Sequence, residues 1–197
     1  MNLPLTKMEP EKINNQFNGE LQQQIAGDLL KGHIYRLGNP KDILQQAGIP
    51  DLPIELNAAT LAEKSNPNYK NSHPFELLEI KDLPNAIQDP IMVFDSKTRK
   101  GSKVILTDLQ SKGINFVVII EINHKKGSNR TGVIEINSIR SLYPKDQIND
   151  IFVWEKEGLL KYVNKEKALA YTKELRSQFP QKSSIYTEAS IYNIVKK

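Results

Sequence analysis

The sequence predicts an α+β fold, in which N-terminal helices precede a four-stranded antiparallel β-meander and C-terminal helices follow it. Apolar residues recur at helical spacing before residue 90 and again after residue 145. Between residues 91 and 143, four runs rich in β-branched residues are joined by short connections that contain glycine. A block of strands between two blocks of helices is typical of the α+β class.

The first segment, residues 1–32, is predicted to be a polar arm followed by an amphipathic helix. Leu21, Ile25 and Leu29 lie at the spacing of one helical face, and Gly32 is the predicted stop. This helix should bury its apolar face against the rest of the chain.

Short helices are predicted next. Asn39 is a candidate N-cap for a helix that ends near Gly48. Residues 54–56 form a brief extended piece, after which Asn57 caps a helix of about two turns. The stretch 73–90 predicts two further helical turns, because prolines interrupt it.

The predicted strands are the runs at residues 91–96, 102–110, 114–125 and 131–143. Because their connections are of hairpin length, consecutive strands should pair antiparallel. The third run is apolar on both faces from Phe116 to Ile120, which predicts a central position in the sheet.

Two helices and an extension complete the predicted layout. Helical spacing around Ile151 indicates one helix, and Asn164 caps a second. Residues 33–179 are therefore predicted to form the main domain, and residues 180–197 a docked C-terminal extension.

The net charge of +4 is unevenly distributed along the chain. Residues 95–145 contain ten Lys or Arg and only four Asp or Glu. This segment either faces phosphate groups or forms solvated, Lys-rich strand edges that discourage aggregation.

The longest unbroken run of aliphatic and aromatic residues has five members, against roughly 20 for a membrane-spanning helix. With no apolar signal core at the N-terminus either, we predict a cytoplasmic protein without membrane contact.

The chemistry open to this chain is limited by what it lacks. It has no cysteine, no HExxH or clustered metal ligands and no glycine-rich phosphate loop, so we expect neither a metal nor another cofactor. Its three histidines are the main groups expected to titrate near neutral pH. His73 is either a proton-transfer group or a helix-start histidine bonded to nearby backbone, whereas His33 and His124 are more typical of a helix end and a solvated turn. This set of residues suits metal-free RNA cleavage, in which a base deprotonates the ribose 2′-hydroxyl and cations stabilise the phosphorane.

Five segments together carry a resemblance to a known family. They read HIYRLGNPKDILQQAGIPDLPIEL, HPFELLEIKDLPNAIQDPIMVFDS, KVILTDL, VIEINSIRSLY and GLLKYVNKEKALAY, in that order between residues 33 and 177. The chain resembles the C-terminal domain of phage MuF-type proteins, within the wider group of barnase/EndoU/colicin/RelE-like nuclease domains. The resemblance implies a metal-independent RNase-like toxin or effector of phage or mobile-element origin, which cleaves RNA by attack of the 2′-hydroxyl. Its implied partners are RNA, tRNA among them, and a cognate inhibitor protein.

The resemblance also implies site residues. The expected catalytic residues are His73, Lys64, Thr107 and Ser138. The expected substrate-binding residues are Arg140 and Tyr143, together with Lys103 and Lys125 of the positively charged segment. The alternative is a non-catalytic protein-interaction or nucleic-acid-binding module that keeps the same fold, in which case the catalytic candidates need not converge on one cleft.

Overall fold

A computed structural model describes residues 9–69, 73–128, 132–147 and 149–178, and the predicted extension at 180–197 lies outside them. The α-helices are α1 (Pro10–Ala26), α2 (Asp42–Gln46), α3 (Ala58–Ser65), α4 (Leu83–Gln88), α5 (Asn149–Lys156) and α6 (Lys165–Gln178), and a 3-10 helix spans Leu77–Ile80. The strands are β1 (Ile34–Arg36), β2 (Ile54–Asn57), β3 (Met92–Asp95), β4 (Ser102–Ser111), β5 (Ile114–Ser128), β6 (Gly132–Pro144) and β7 (Leu160–Val163). The predicted α+β class is confirmed.

All seven strands form one mixed sheet in the order β1-β2-β6-β5-β4-β3-β7. The prediction of a four-stranded sheet is wrong in its extent. Strands β3 to β6 do pair antiparallel with their neighbours, but β1, β2 and β7 lengthen the sheet on both sides, and β2 joins β6 in parallel. Strand β2 contains the extended piece predicted at residues 54–56, although its pairing was not predicted, whereas β1 and β7 have only three or four residues each, too few for an alternating pattern to stand out in the sequence.

Strand β5 has the predicted central position, between β6 and β4. Phe116, Val118 and Ile120 are fully buried in one core, whereas Val117 is fully buried in a second core on the opposite face. Since successive side chains of a strand point to opposite faces, both faces of the sheet must be covered here.

Helices α1 to α4 cover the first face. Helix α1 contributes Phe17 and Leu21 to the first core, so the predicted N-terminal segment packs with the residues that follow it. The helix ends at Gly27, earlier than the predicted stop at Gly32, because Gly27 adopts the left-handed conformation (φ 82°) that closes a helix C-terminus.

Two of the three predicted asparagine caps are confirmed. The side chains of Asn57 and Asn164 accept hydrogen bonds from backbone N–H groups in the first turns of α3 and α6. Asn39 does not cap α2; its amide donates to the Asp51 carboxylate instead, at 2.8 Å. This bond holds together the two ends of the segment around α2.

Helices α5 and α6 cover only part of the second face. Ile151 and Phe152 of α5 and Ala168 of α6 pack against β3, β4 and β5 in the second core. The half-buried Ile119 and Tyr143 at the margin of this core are left partly exposed. None of the described helices has the length and apolar character needed to cross a membrane.

Candidate functional site

A cavity of about 570 Å³ opens on the second face, at the margin that α5 leaves uncovered. Its floor is the surface of strands β4 to β6, represented by Val104, Ile119 and Tyr143. Its walls are the turn between β3 and β4 and one side of α5, which contributes Trp154. Lys64, at the end of α3, completes the rim.

A β-bulge in β6 aims two consecutive side chains into this cavity. Ile119 of β5 pairs with Ser141 and the next residue of β5 pairs with Ile139, so Arg140 is an extra residue in β6. A bulge breaks the alternation of side chains along a strand. Arg140 and Ser141 therefore both line the cavity, while Ile139 lies in the first core.

The cavity is rich in cations, and they fall into two groups. The lining cations are Lys64, Lys97, Arg99, Arg140 and Lys145, against one lining carboxylate, Asp150. Three of them are paired: Lys97 with Glu157 at 2.5 Å, Arg140 with Glu121 at 3.3 Å and Lys145 with Asp150 at 2.5 Å. Lys64 and Arg99 form no ion pair with any residue that the structure describes. The two unpaired cations leave the cavity electropositive, which favours an anionic ligand.

His73 lies beside the cavity and stacks on Tyr143, which is part of its floor. Its imidazole is nearly parallel to the Tyr143 ring, with centroids 5.0 Å apart and an interplanar angle of 23°. Its Nδ1 lies 3.9 Å from the Asp146 carboxylate, and its side chain is 40% exposed. Strand β2 pairs with β6 only as far as Ile139, so the end of β6 that carries Tyr143 is open to this contact. The imidazole is therefore open to solvent, and the Asp146 carboxylate lies too far away for a direct hydrogen bond.

Tyr143 is held in its protonated form. Burial raises the pKa of its phenol, and the nearby carboxylates of Asp150 and Asp146 raise it further. Its hydroxyl is therefore a hydrogen-bond donor at neutral pH and does not serve as a base.

Two of the predicted site residues, Thr107 and Lys103, are enclosed within the sheet and do not line this cavity. Thr107 is completely buried in β4, and its hydroxyl donates a hydrogen bond to the Phe116 carbonyl at 3.1 Å. Lys103 is 8% exposed and pairs with Asp95 at 2.6 Å. Both side chains are enclosed and bonded to neighbouring strands, so neither is placed to meet a ligand in this cavity.

The Lys103 contact is part of a small ionic cluster. Asp95 also pairs with Lys161 of β7, at 3.0 Å. Burial acts to raise the pKa of Asp95, but the hydrogen bonds from Lys103 and Lys161 outweigh it and leave that pKa below its ordinary value. These contacts join β3, β4 and β7, which is a structural role.

Ser138 lies in a second, smaller cavity of about 190 Å³ at the base of the β5–β6 hairpin. Arg140 lines both cavities and is the link between them. His124 also lines the second cavity, where its Nδ1 is 3.4 Å from Glu121. Lys125 is exposed on the hairpin and lines neither of these two cavities.

The structure thus unites His73, Lys64, Arg140 and Tyr143 and leaves the other four predicted residues elsewhere. It also adds residues that the sequence did not single out, Trp154, Lys145 and Arg99. Trp154 is the only tryptophan of the chain and the turn around Arg99 is strongly basic, but neither feature reveals that α5 and this turn face each other.

No three His, Asp or Glu side chains lie close enough to hold a metal ion within the ranges that the structure describes. A protein-family model described as the phage MuF C-terminal domain matches residues 64–170, which is more than half of the chain. The chain belongs to the phage MuF C-terminal domain family. The match begins and ends inside the range 33–177 over which the resemblance was expected.

The match contains every part of the site of this MuF C-terminal domain. It begins at Lys64 on the cavity rim and extends past α5 into α6. Comparison with curated proteins and with solved structures gave no significant match.

Proposed function

We propose that this MuF C-terminal domain is a metal-independent endoribonuclease of the barnase/EndoU/colicin/RelE-like group, acting as a toxin or effector of phage or mobile-element origin. The observation that carries the proposal is the stack of His73 on Tyr143 at the edge of a cavity with unpaired cations. An imidazole beside a cavity with unpaired cations is the minimum that 2′-hydroxyl attack requires.

In the proposed reaction, His73 acts first as base and then as acid. It takes the proton of the 2′-hydroxyl as the oxygen bonds to phosphorus, and Asp146 stabilises the resulting imidazolium. The imidazolium then gives this proton to the 5′-oxygen as the bond from phosphorus to that oxygen breaks. The products are a 2′,3′-cyclic phosphate and a 5′-hydroxyl.

The cavity supplies the charge stabilisation. Lys64 and Arg99 are available for phosphate oxygens because no described carboxylate pairs with them. Arg140 requires a shift away from Glu121, and Tyr143 donates a hydrogen bond. Donors placed around developing phosphorane charge typically contribute several kcal/mol each, of the order of 3.

A non-catalytic binding module is the second candidate. It is favoured by the burial of Thr107 and by the position of Ser138 in a different cavity, because the four predicted catalytic residues do not converge. For the nuclease and for a nucleic-acid-binding module, the proposed partner is RNA, tRNA among them, in the cytoplasm; a protein-interaction module would bind another protein instead. A cognate inhibitor protein is proposed only for the toxin, whose unchecked cleavage would damage the cell that makes it.

The test is cleavage of total RNA and of tRNA by purified protein in EDTA. We expect the wild type to cleave and His73→Ala to be slower by about 10²- to 10⁴-fold, the usual contribution of a proton-transfer group. His124→Ala is the matched control, because His124 faces the other cavity. Circular dichroism must show that both variants are folded.

Three results would contradict the nuclease proposal: wild-type protein without activity, activity lost in EDTA, or full activity in a folded His73→Ala variant. Binding of RNA without cleavage would favour the binding module.

A further inference from the structure

The cavity has an apolar, aromatic end that cation–phosphate chemistry does not use. Trp154 lines this end together with Val153 and Ile119. Trp154 is half-buried, with its ring edge-on to Phe94 at 5.5 Å between centroids. A phosphate group is charged and strongly hydrated, so it does not bind to such an apolar surface.

Aromatic rings next to cations can bind both parts of a nucleotide, because the rings pack on the base and the cations pair with the phosphate. The ammonium of Lys145 lies 5.5 Å from the centroid of the Trp154 ring, and Lys145 is itself held by Asp150. Single-stranded nucleic acids are bound by this combination, in which bases pack on aromatic side chains and the backbone follows cations. A volume of about 570 Å³ also lies within the range of ordinary small-ligand sites.

We infer that the Trp154 end of the cavity is a nucleobase subsite, and that the domain therefore takes an unpaired nucleotide and rejects the same residue inside a duplex. In a double helix the base faces are covered by their neighbours, so a base enters a recess only from a single strand or a loop, or after extrusion from the helix. The inference rests on the proposed function, because the base enters the cavity where the adjacent phosphate would meet Lys64 and Arg99.

The sole tryptophan makes the subsite directly observable, since Trp154 accounts for all indole fluorescence of the chain. The probe is a 2′-O-methyl RNA strand of mixed sequence, which cannot undergo 2′-hydroxyl attack. It is added to the full chain either single-stranded or annealed to its complement. We expect saturable quenching of Trp154 by the single strand, and affinity for the duplex at least tenfold weaker at equal salt.

Substitution of Trp154 gives an independent test, in which the binding affinity is measured by fluorescence anisotropy of a labelled RNA strand. Trp154→Ala should weaken single-strand binding by about 5- to 150-fold, the range measured for loss of one base–aromatic contact. Trp154→Phe, which keeps a ring, should recover most of the affinity. Tyr162→Ala on β7 removes a half-buried aromatic side chain outside this cavity and should change little.

Equal affinity for single strand and duplex, or binding that leaves Trp154 emission unchanged, would overturn the inference. Because the probe cannot be cleaved, the subsite and the nuclease proposal fail separately. Selective quenching without cleavage of natural RNA leaves the base subsite and removes the catalysis. Cleavage of natural RNA without selective quenching supports the catalysis and removes the base subsite.

Discussion

The two faces of the sheet bury their residues to different extents, and this difference decides where chemistry is possible. On the first face, Phe116, Val118 and Ile120 are fully buried under α1 to α4. On the second face, Val117 is equally buried, but Ile119 and Tyr143 remain partly exposed at the margin of α5. The lesson is that a site forms where cover by helices ends, because only there can polar side chains reach solvent and ligand.

Polar groups on the two faces are used differently. Under α1, the Asp82 carboxylate accepts hydrogen bonds from Asn14 and Asn18 at 2.6 and 2.7 Å, which ties α1 to the start of α4. In the cavity of the second face, Lys64 and Arg99 form no ion pair among the described residues, and the Lys64 ammonium lies over the Tyr69 ring, 5.6 Å from its centroid. The first arrangement serves stability, and the second leaves charge for a ligand.

The largest expected effect is on stability and separates the two faces. Phe116→Ala removes a fully buried ring that meets Phe75 edge-on at 5.0 Å, so we expect a loss of about 3–5 kcal/mol in the free energy of unfolding. Val153→Ala, at a cavity residue that is 42% exposed, should change it by no more than about 0.5 kcal/mol. Urea unfolding followed by circular dichroism measures both, and equal losses would show that the second face is not open.

A second prediction concerns the salt dependence of RNA binding. Each phosphate contact to a single strand contributes a slope of about 0.7 to the plot of log affinity against log salt. Replacing Lys64 and Arg99 together by Ala should therefore reduce that slope by about 1.4. Lys125→Ala, on the exposed hairpin, should leave the slope unchanged.

The same titrations also test the sequence-based assignment of Lys125. A reduced slope in Lys125→Ala, with no change in the double variant, would move the binding surface from the cavity to the hairpin.

The smallest expected effect is on the free energy of unfolding at low pH, through a contact on the first face. Hydrogen bonds from Asn18 and Asn14 lower the pKa of Asp82. Its stabilising contribution is present above its unfolded pKa of about 3.9 and is lost as pH falls through the lower folded pKa. Asp82→Asn should therefore flatten the loss of stability with falling pH below about 4, as measured by urea unfolding at several pH values. Asp28→Asn, at an exposed aspartate, is the control, and acid limbs of equal slope in all three proteins would refute this role of Asp82.

Local sequence patterns predicted the parts of the fold that local forces decide. The apolar run from Phe116 to Ile120 predicted the central strand, and Asn57 and Asn164 predicted two helix starts. Strand β7 was missed because LKYV is too short to carry a periodic signal and is a strand only through its pairing with β3.

The site was only partly predictable for the same reason. His73 and Tyr143 were singled out separately, but their stacking depends on the open end of β6. Thr107 and Ser138 were singled out as strand hydroxyls. The sequence of a strand does not show which face of the sheet the helices cover. The bulge that turns Arg140 and Ser141 into the same cavity likewise follows from the register of β5 and β6.

The central claim is that His73 and the cavity cut RNA through the 2′-hydroxyl, and the most direct test is the chemistry of the new ends. Wild-type protein in EDTA is incubated with tRNA, and the fragments are analysed by mass spectrometry. A matched oligonucleotide that carries a 2′-deoxy residue at the mapped cut site is the control substrate. The account predicts 2′,3′-cyclic phosphate and 5′-hydroxyl ends and no cleavage of the deoxy control; 3′-hydroxyl and 5′-phosphate ends, or cleavage of that control, would contradict it.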